Sequence, residues 1–226
     1  MTKLSIIFPS RRPEQLARCL EQLTGTLGEY SADVEIVVIA DAPGIAKAAA
    51  PYTDFIISSE PTTAIDAWNL GASMANGDWF FLGADDLYFT AGWLDALWPY
   101  LTPEYGVVGV DDDARSWERI GWATHFAASR TFCIDYMGGV FLPPVYAHGF
   151  PDPEVCFVAI ENSLFVYVPE CIVEHRHYVW GKAEKDAIYE AGDATFAEDR
   201  KLFYERRMLG YPVTWEPMIH AEAIVV

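Results

Sequence analysis

The chain is poor in positive charge, with 15 lysines and arginines against 33 aspartates and glutamates in 226 residues and a formal net charge of −18. A surface of that sign repels phosphate backbones and anionic lipid, which disfavours nucleic acid and membrane surfaces as partners. Cysteine is scarce too. Cys19, Cys133, Cys156 and Cys171 form no Cys-x-x-Cys pair, so neither a zinc ribbon nor a disulfide framework is indicated, and reduced, buried thiols are expected. No uninterrupted apolar run approaches the roughly 20 residues that span a bilayer. The amino-terminal MTKLSIIFPSRRP breaks at Pro9 and the arginines before a signal-peptide core develops, so a cytoplasmic protein is expected. Internal repeats, low-complexity tracts and linkers are also missing. One domain is expected from a chain that is 52% hydrophobic and 15% aromatic.

What is present is an alternation of short apolar runs with helical patterns, the mark of βαβ units around a mostly parallel sheet sandwiched by helices. Strands are predicted at Leu4–Pro9, Val34–Ala40, Asp54–Ser58, Trp79–Leu82 and Gly106–Val110. A helix begins near Pro13 with Leu16, Leu20 and Leu23 on one face. Thr63 and Asp66 read as a capping box for a helix through Met74, and Thr90 as the start of a helix carrying Trp93, Leu94 and Leu97. Beyond residue 121 the pattern turns irregular and aromatic, with Gly138, Gly139 and the proline-rich LPPVYAHGFPDP, a long connection suited to an acceptor-side loop. A helix at Pro153–Asn162, strands at Leu164–Val168 and Ile172–His175, and a C-terminal helix opened by Thr195 and Glu198 and running through Met208 complete the pattern. The chain thus divides into a ligand-binding half (1–111), a catalytic half (112–182) and a C-terminal helix and tail (183–226).

Chemistry concentrates in FFLGADDLYFTAGWLDAL, where an apolar strand ends in Asp85 and Asp86. Carboxyl ends of central strands are where open α/β sheets place ligands. Two adjacent carboxylates repel unless a cation or donors neutralise them, and their oxygens suit Mg²⁺ or Mn²⁺, which bridge phosphates; a solvated acidic turn is the alternative. His175 and His177, two apart on an expected strand, project to one face and can complete such a shell. Asp152 precedes a predicted helix with Glu154 two residues on, a placement that also suits a plain helix cap.

Five segments resemble family 2 glycosyltransferases of the GT-A fold, in that family's order. SIIFPSRRPEQLARCL is similar to the first strand, turn and helix; VEIVVIADAPG to the second strand ending in an acid; and WNLGASMANGDWFFLGADD to the N-x-G…A-x-G-D-x-x-x-x-L-D-x-D run. ASRTFCIDYMGGVF resembles the segment ending in Gly-Gly-Phe, and PEVCFVAIENSLFVYVPECIVEHRH the helix, strand and P-x-A-x-V-x-H ending. The similarity runs over residues 3 to 177.

The resemblance implies a single GT-A domain that transfers a sugar from a nucleotide-diphospho-sugar, UDP-sugar by default, to a hydroxyl acceptor with inversion. The acceptor could be a protein, a glycan or a modified base. It implies nucleotide-sugar binding by Ser10, Asp41 and Asp85, with Lys182 a further candidate from a loop. Mn²⁺ or Mg²⁺ would be held by Asp86 and His175, with His177 placed by strand spacing. Asp152 would be the general base, with Glu154 the next carboxylate. Two departures stand out: Ala84 replaces the first Asp of D-x-D, and Pro151 replaces the acid that usually precedes Asp152. A nucleotidyltransferase of related fold, although PSRRPEQ lacks the glycine-rich triphosphate loop, and a non-catalytic nucleotide-sugar-binding protein are the alternatives.

Overall fold

A computed structural model describes residues 3–53, 55–60, 63–114 and 116–220. The apolar runs form β1 (Leu4–Ser10), β2 (Val34–Ala40), β3 (Ile56–Ser58) and β4 (Trp79–Leu82), all parallel, with Leu4 opposite both Val34 and Trp79. Expected strand residue Asp54 lies outside the described residues. The sheet continues through β5 (Leu87–Phe89), β6 (Val107–Asp111), β7 (Phe126–Ser129) and β8 (Phe165–His175), in the order β3-β2-β1-β4-β7-β6-β8-β5. β7 runs antiparallel to β4 and β6, β8 is parallel to β6, and β5 is antiparallel to β8.

Both faces of the sheet are apolar, as a two-sided sandwich requires. Leu4, Ile6 and Phe8 of β1 point into one core, with Leu16, Leu20 and Leu23 of α1 (Pro13–Thr24), Ile45 of α2 (Ile45–Ala49) and Trp93, Leu94 and Leu97 of α4 (Trp93–Leu97). Ile7 points into the other, with Ile65 and Ala72 of α3 (Ala64–Met74), Cys133 of α6 (Arg130–Asp135), Val155 and Ala159 of α7 (Pro151–Glu161) and Phe203 of α8 (Ala187–Met208). A short helix α5 (Ser116–Ile120) lies between β6 and β7. Each fully enclosed Leu, Ile or Phe contributes about 1.5–3 kcal/mol of transfer free energy. All four cysteines are free and buried, as expected.

Two motif residues explain the packing of the second face. Gly71 lets α3 lie on β1, since a Cβ there would stand 2.4 Å from Ile7 Cγ2. Asn69, fully buried, accepts from the Phe141 and Leu142 N–H groups through Oδ1 and donates to the Leu142 carbonyl, fixing the chain beyond Gly138–Gly139.

Local expectations met mixed outcomes. Thr63 and Asp66 form the capping box of α3 in both directions. Thr90 caps nothing: its hydroxyl donates to the Ile172 carbonyl, and α4 starts after left-handed Gly92. The Leu164–Val168 and Ile172–His175 segments are one strand, because β8 takes up the intervening residues as an irregularity opposite Val110/Asp111. The C-terminal helix begins eight residues before Thr195, capped by Asp186, which accepts from the Ile188 and Tyr189 N–H groups. Thr195 instead sits inside it and donates to Asp199. α7 starts at Pro151 after left-handed Phe150, so Asp152 is in the first turn and is not the cap.

Candidate functional site

Ser10, Ala40 and Leu82 end three adjacent parallel strands at the same edge, and Asp41, Asp85 and Asp86 follow them. The residues after Asp86 do not go straight into a helix. They form β5, whose Leu87 pairs with His175 at the end of β8. That pairing carries Asp86 beside the histidines: Arg176 N–H donates to the Asp86 carbonyl, His175 N–H donates to the Asp112 carbonyl, and His175 Nε2 lies 3.4 Å from Asp86 Oδ2. Asp86, His175 and His177 each offer a ligand atom within 4.8 Å of the others. His177 lies two residues past the end of the strand, still in extended backbone, and caps the turn at 178–180, with its ring 5.0 Å from that of His175.

These residues fit a divalent cation. Ligands about 2.1 Å from one ion stand roughly 3.0–3.5 Å apart, the spacing of the Asp86 and His175 atoms. Asp86 is buried, which would push its carboxyl up, but the charge and hydrogen bond of His175 and the Tyr189 hydroxyl hold it well below the usual range. His175 Nδ1 is buried without a partner. Burial and the neighbouring charge of His175 lower His177 to about 4, leaving its imidazole neutral and able to ligate near neutral pH. His125, missed in the sequence, meets His175 edge-on at 4.6 Å between ring centroids, with its own Nδ1 2.9 Å from the Leu82 carbonyl oxygen. Burial and then His175 bring His125 down to about 4.

Asp85 belongs to a different network. Its Oδ2 accepts from the Ser10 hydroxyl at 2.6 Å, while Oδ1 lies 3.2 Å from Arg12 Nη2 and 3.4 Å from Gln15 Nε2. Burial raises it to about 6 despite Arg12. Ser10 is therefore turned toward Asp85. Arg12 also pairs with Asp186 at 3.3 Å and stacks on Tyr189. Asp41 pairs with Arg11 at 2.8 Å and lines a cleft of about 410 Å³ with Ala42, Pro43, Ser58, Ser59 and Glu60. Its Oδ1 is buried without a hydrogen-bond partner. The signal for these arginines was the basic pair itself, directly after a strand in an acid-rich chain.

Asp152 accepts from the Trp122 indole N–H at 3.1 Å. The enclosure of its carboxyl raises it to about 7, against the smaller opposing effects of its own N–H, Trp122 and the charge of His175. Glu154, two residues on, is committed elsewhere. Its oxygens accept from Arg206 at 2.7 and 2.8 Å and from the Tyr146 hydroxyl at 2.6 Å, with 1% of its side chain exposed. At about 100° per residue, two positions put it on the opposite side of the first helical turn from Asp152, and its pair with Arg206 ties α8 to α7. Lys182 is likewise occupied, by Asp113 at 2.8 Å and Glu174 at 3.1 Å.

The loop before Asp152 is held from α8. Asp199, 4% exposed, accepts from the N–H groups of Ala147, His148 and Gly149, each at 2.9 Å.

The model of glycosyl transferase family 2 matches residues 5–151. The chain belongs to that family. It is a glycosyltransferase-type enzyme with a single α/β domain of the GT-A kind. Asp152, His175, His177 and α8 lie beyond the matched residues. No curated protein gives a significant match. Among solved structures, the chain is similar to the mannosyltransferase PcManGT from Pyrobaculum calidifontis in complex with GDP-Man and Mn²⁺, with a TM-score of 0.71 and 17% identity over 98% of this chain and 69% of that one. Mannosyl-3-phosphoglycerate synthase from Rubrobacter xylanophilus follows at 0.62 and 16%, over 95% of this chain and 77% of that one. The S. aureus TarS 1-349 fragment gives 0.60 and 12%, and here the chain covers 76% of itself but only 59% of the fragment. No helix among the described residues is long and apolar enough to cross a membrane.

Proposed function

We propose that the protein transfers a sugar from a nucleotide-diphospho-sugar to a hydroxyl acceptor in a metal-dependent, inverting displacement. The observation that carries this reading is the β5–β8 pairing, which assembles Asp86, His175 and His177 at the ligand-binding edge of the sheet. PcManGT, of the same fold, was solved with GDP-Man and Mn²⁺, and TarS with UDP. Mn²⁺ or Mg²⁺ held by Asp86, His175 and His177 would neutralise charge that builds on the departing diphosphate. The cleft beside Asp41 takes the base, where the free carboxylate oxygen accepts from a ring or exocyclic N–H. Asp85, held by Ser10 and Arg12 at the same strand edge, is the carboxylate that would meet the ribose hydroxyls.

Asp152 receives the acceptor proton as the acceptor oxygen bonds to the anomeric carbon and the bond to the diphosphate breaks. A base with a pKa of about 7 combines an ionised fraction near one half at neutral pH with useful basicity. Trp122 holds that carboxylate from one side. A donor panel led by UDP-sugars and GDP-mannose, assayed for nucleoside diphosphate release with and without Mn²⁺, tests the reading. Metal-dependent release from a sugar donor is expected. Pyrophosphate release from a nucleoside triphosphate and a sugar phosphate would make the protein a nucleotidyltransferase, and binding without turnover across donors and acceptors would make it a sensor.

A further inference from the structure

One residue of the C-terminal helix touches two of the three proposed metal ligands. The Tyr189 hydroxyl donates to Asp86 Oδ2 at 2.8 Å, and the edge of its ring meets the His177 ring with centroids 4.4 Å apart. Its other face is covered by the Arg12 guanidinium at 4.5 Å. The ring is fixed from below as well: Asp186 caps the helix start through the Tyr189 N–H, and the same Asp186 pairs with Arg12. Tyr189 is 7% exposed, so this arrangement is packed and not a surface encounter.

We propose that Tyr189 is a positioning residue for the metal centre, holding Asp86 and His177 in the orientation that receives the cation. The inference rests on the metal-dependent reading above and extends it to a helix outside the family-matched residues. The physics is that of outer-shell donors generally. A carboxylate and an imidazole each have several rotamers available, and only some of them aim a lone pair at a shared point. A hydroxyl bonded to one carboxylate oxygen restricts the Asp86 torsion while leaving further lone pairs for a cation. The ring does the same for His177 by closing one side of it. The composition of the cluster gives this support its importance: Asp86 is the one carboxylate in the group it forms with His175 and His177, so its orientation has no second carboxylate beside it to compensate.

The test is Mn²⁺ binding, measured by electron paramagnetic resonance of the free ion, with and without UDP or GDP, on wild type, Tyr189→Phe and Asp86→Ala. Phenylalanine keeps the ring against Arg12 and His177 and removes only the hydroxyl, so melting near the wild type is expected and checked first. The expected result is roughly 10- to 100-fold weaker Mn²⁺ binding in Tyr189→Phe, and a larger loss in Asp86→Ala. Equal affinity in wild type and Tyr189→Phe overturns the positioning role while leaving the Asp86 site standing. Tighter binding in Tyr189→Phe overturns it in the other direction, making the hydroxyl a competitor for the cation's oxygen. Undiminished binding in Asp86→Ala, or no binding by the wild type, removes the metal site itself and the role with it.

Discussion

Replacing Asp152 with asparagine should stabilise the protein, and by an amount that grows with pH. Enclosure raises the folded carboxyl to about 7, whereas in the unfolded chain an Asp titrates near 3.9. Between those values the folded state binds more protons than the unfolded one, so the wild type loses stability as pH rises through this window and the loss levels off above the folded pKa. Asparagine does not titrate and still accepts from Trp122. The rise of the carboxyl from its unfolded to its folded value corresponds to about 4 kcal/mol in full, of which about 2–3 kcal/mol falls between pH 5 and 8. At about 2–4 °C per kcal/mol for a chain of this size, the melting temperature of Asp152→Asn relative to wild type should climb by roughly 4–12 °C over that range. Melts are run in chelator, since a cation at His175 would lower the Asp152 carboxyl. A difference that stays constant from pH 5 to 8 would refute the reasoning, because it means an ordinary carboxyl. In transfer assays, where the cation is present and lowers this carboxyl, the rate should still rise with pH but with a midpoint below 7, and Asp152→Asn lowers turnover by roughly 10²- to 10⁴-fold while donor affinity holds.

Glu154→Gln strands the Arg206 guanidinium in the interior and should cost about 3–5 kcal/mol, read by denaturant unfolding, whereas the paired Glu154→Leu/Arg206→Met recovers most of it. Asp199→Ala removes the acceptor of three backbone N–H groups and should cost about 2–4 kcal/mol, with protease cleavage appearing first at 147–149. His175→Ala should weaken metal-dependent nucleotide binding in calorimetry more than His177→Ala, since His175 is the residue that pairs with Asp86; the reverse order would mean that His177 leads the coordination.

The parallel half of the fold was legible because its strands are largely apolar runs between helical patterns, and Val34–Ala40 and Trp79–Leu82 fall where predicted. β7 was not, because Phe126–Ser129 is a short alanine-containing segment whose burial comes from neighbours on either side and not from its own composition. β5 is three residues long and directly follows the acidic pair, so a turn explained it equally well. Cap errors share one cause. Thr90, Thr195 and Asp152 have the right residue types three positions before or beside a helical pattern, but their side chains found other partners: the β8 carbonyl, Asp199 and Trp122.

For the site, strand ends announce Asp41, Asp85 and Asp86, since sequence position alone puts them at one edge. Glu154 and Lys182 could not be sorted in the same way. Their spacing to the neighbouring site residues is right, and only the appearance of Arg206 and of Asp113 and Glu174 from distant positions shows that their charges are spent on tying elements together. Arg12 shows the opposite case, a residue whose importance comes from an excess of acid around it. Asp85, Asp86 and Asp186 converge near one point, and a chain with so few cations places one there, between the first strand and the last helix. That single guanidinium lets Asp85 remain buried with its pKa at about 6 and stacks on Tyr189, which in turn touches Asp86 and His177. The strand-edge site is thus completed by a helix that begins a hundred residues after the acidic turn it closes.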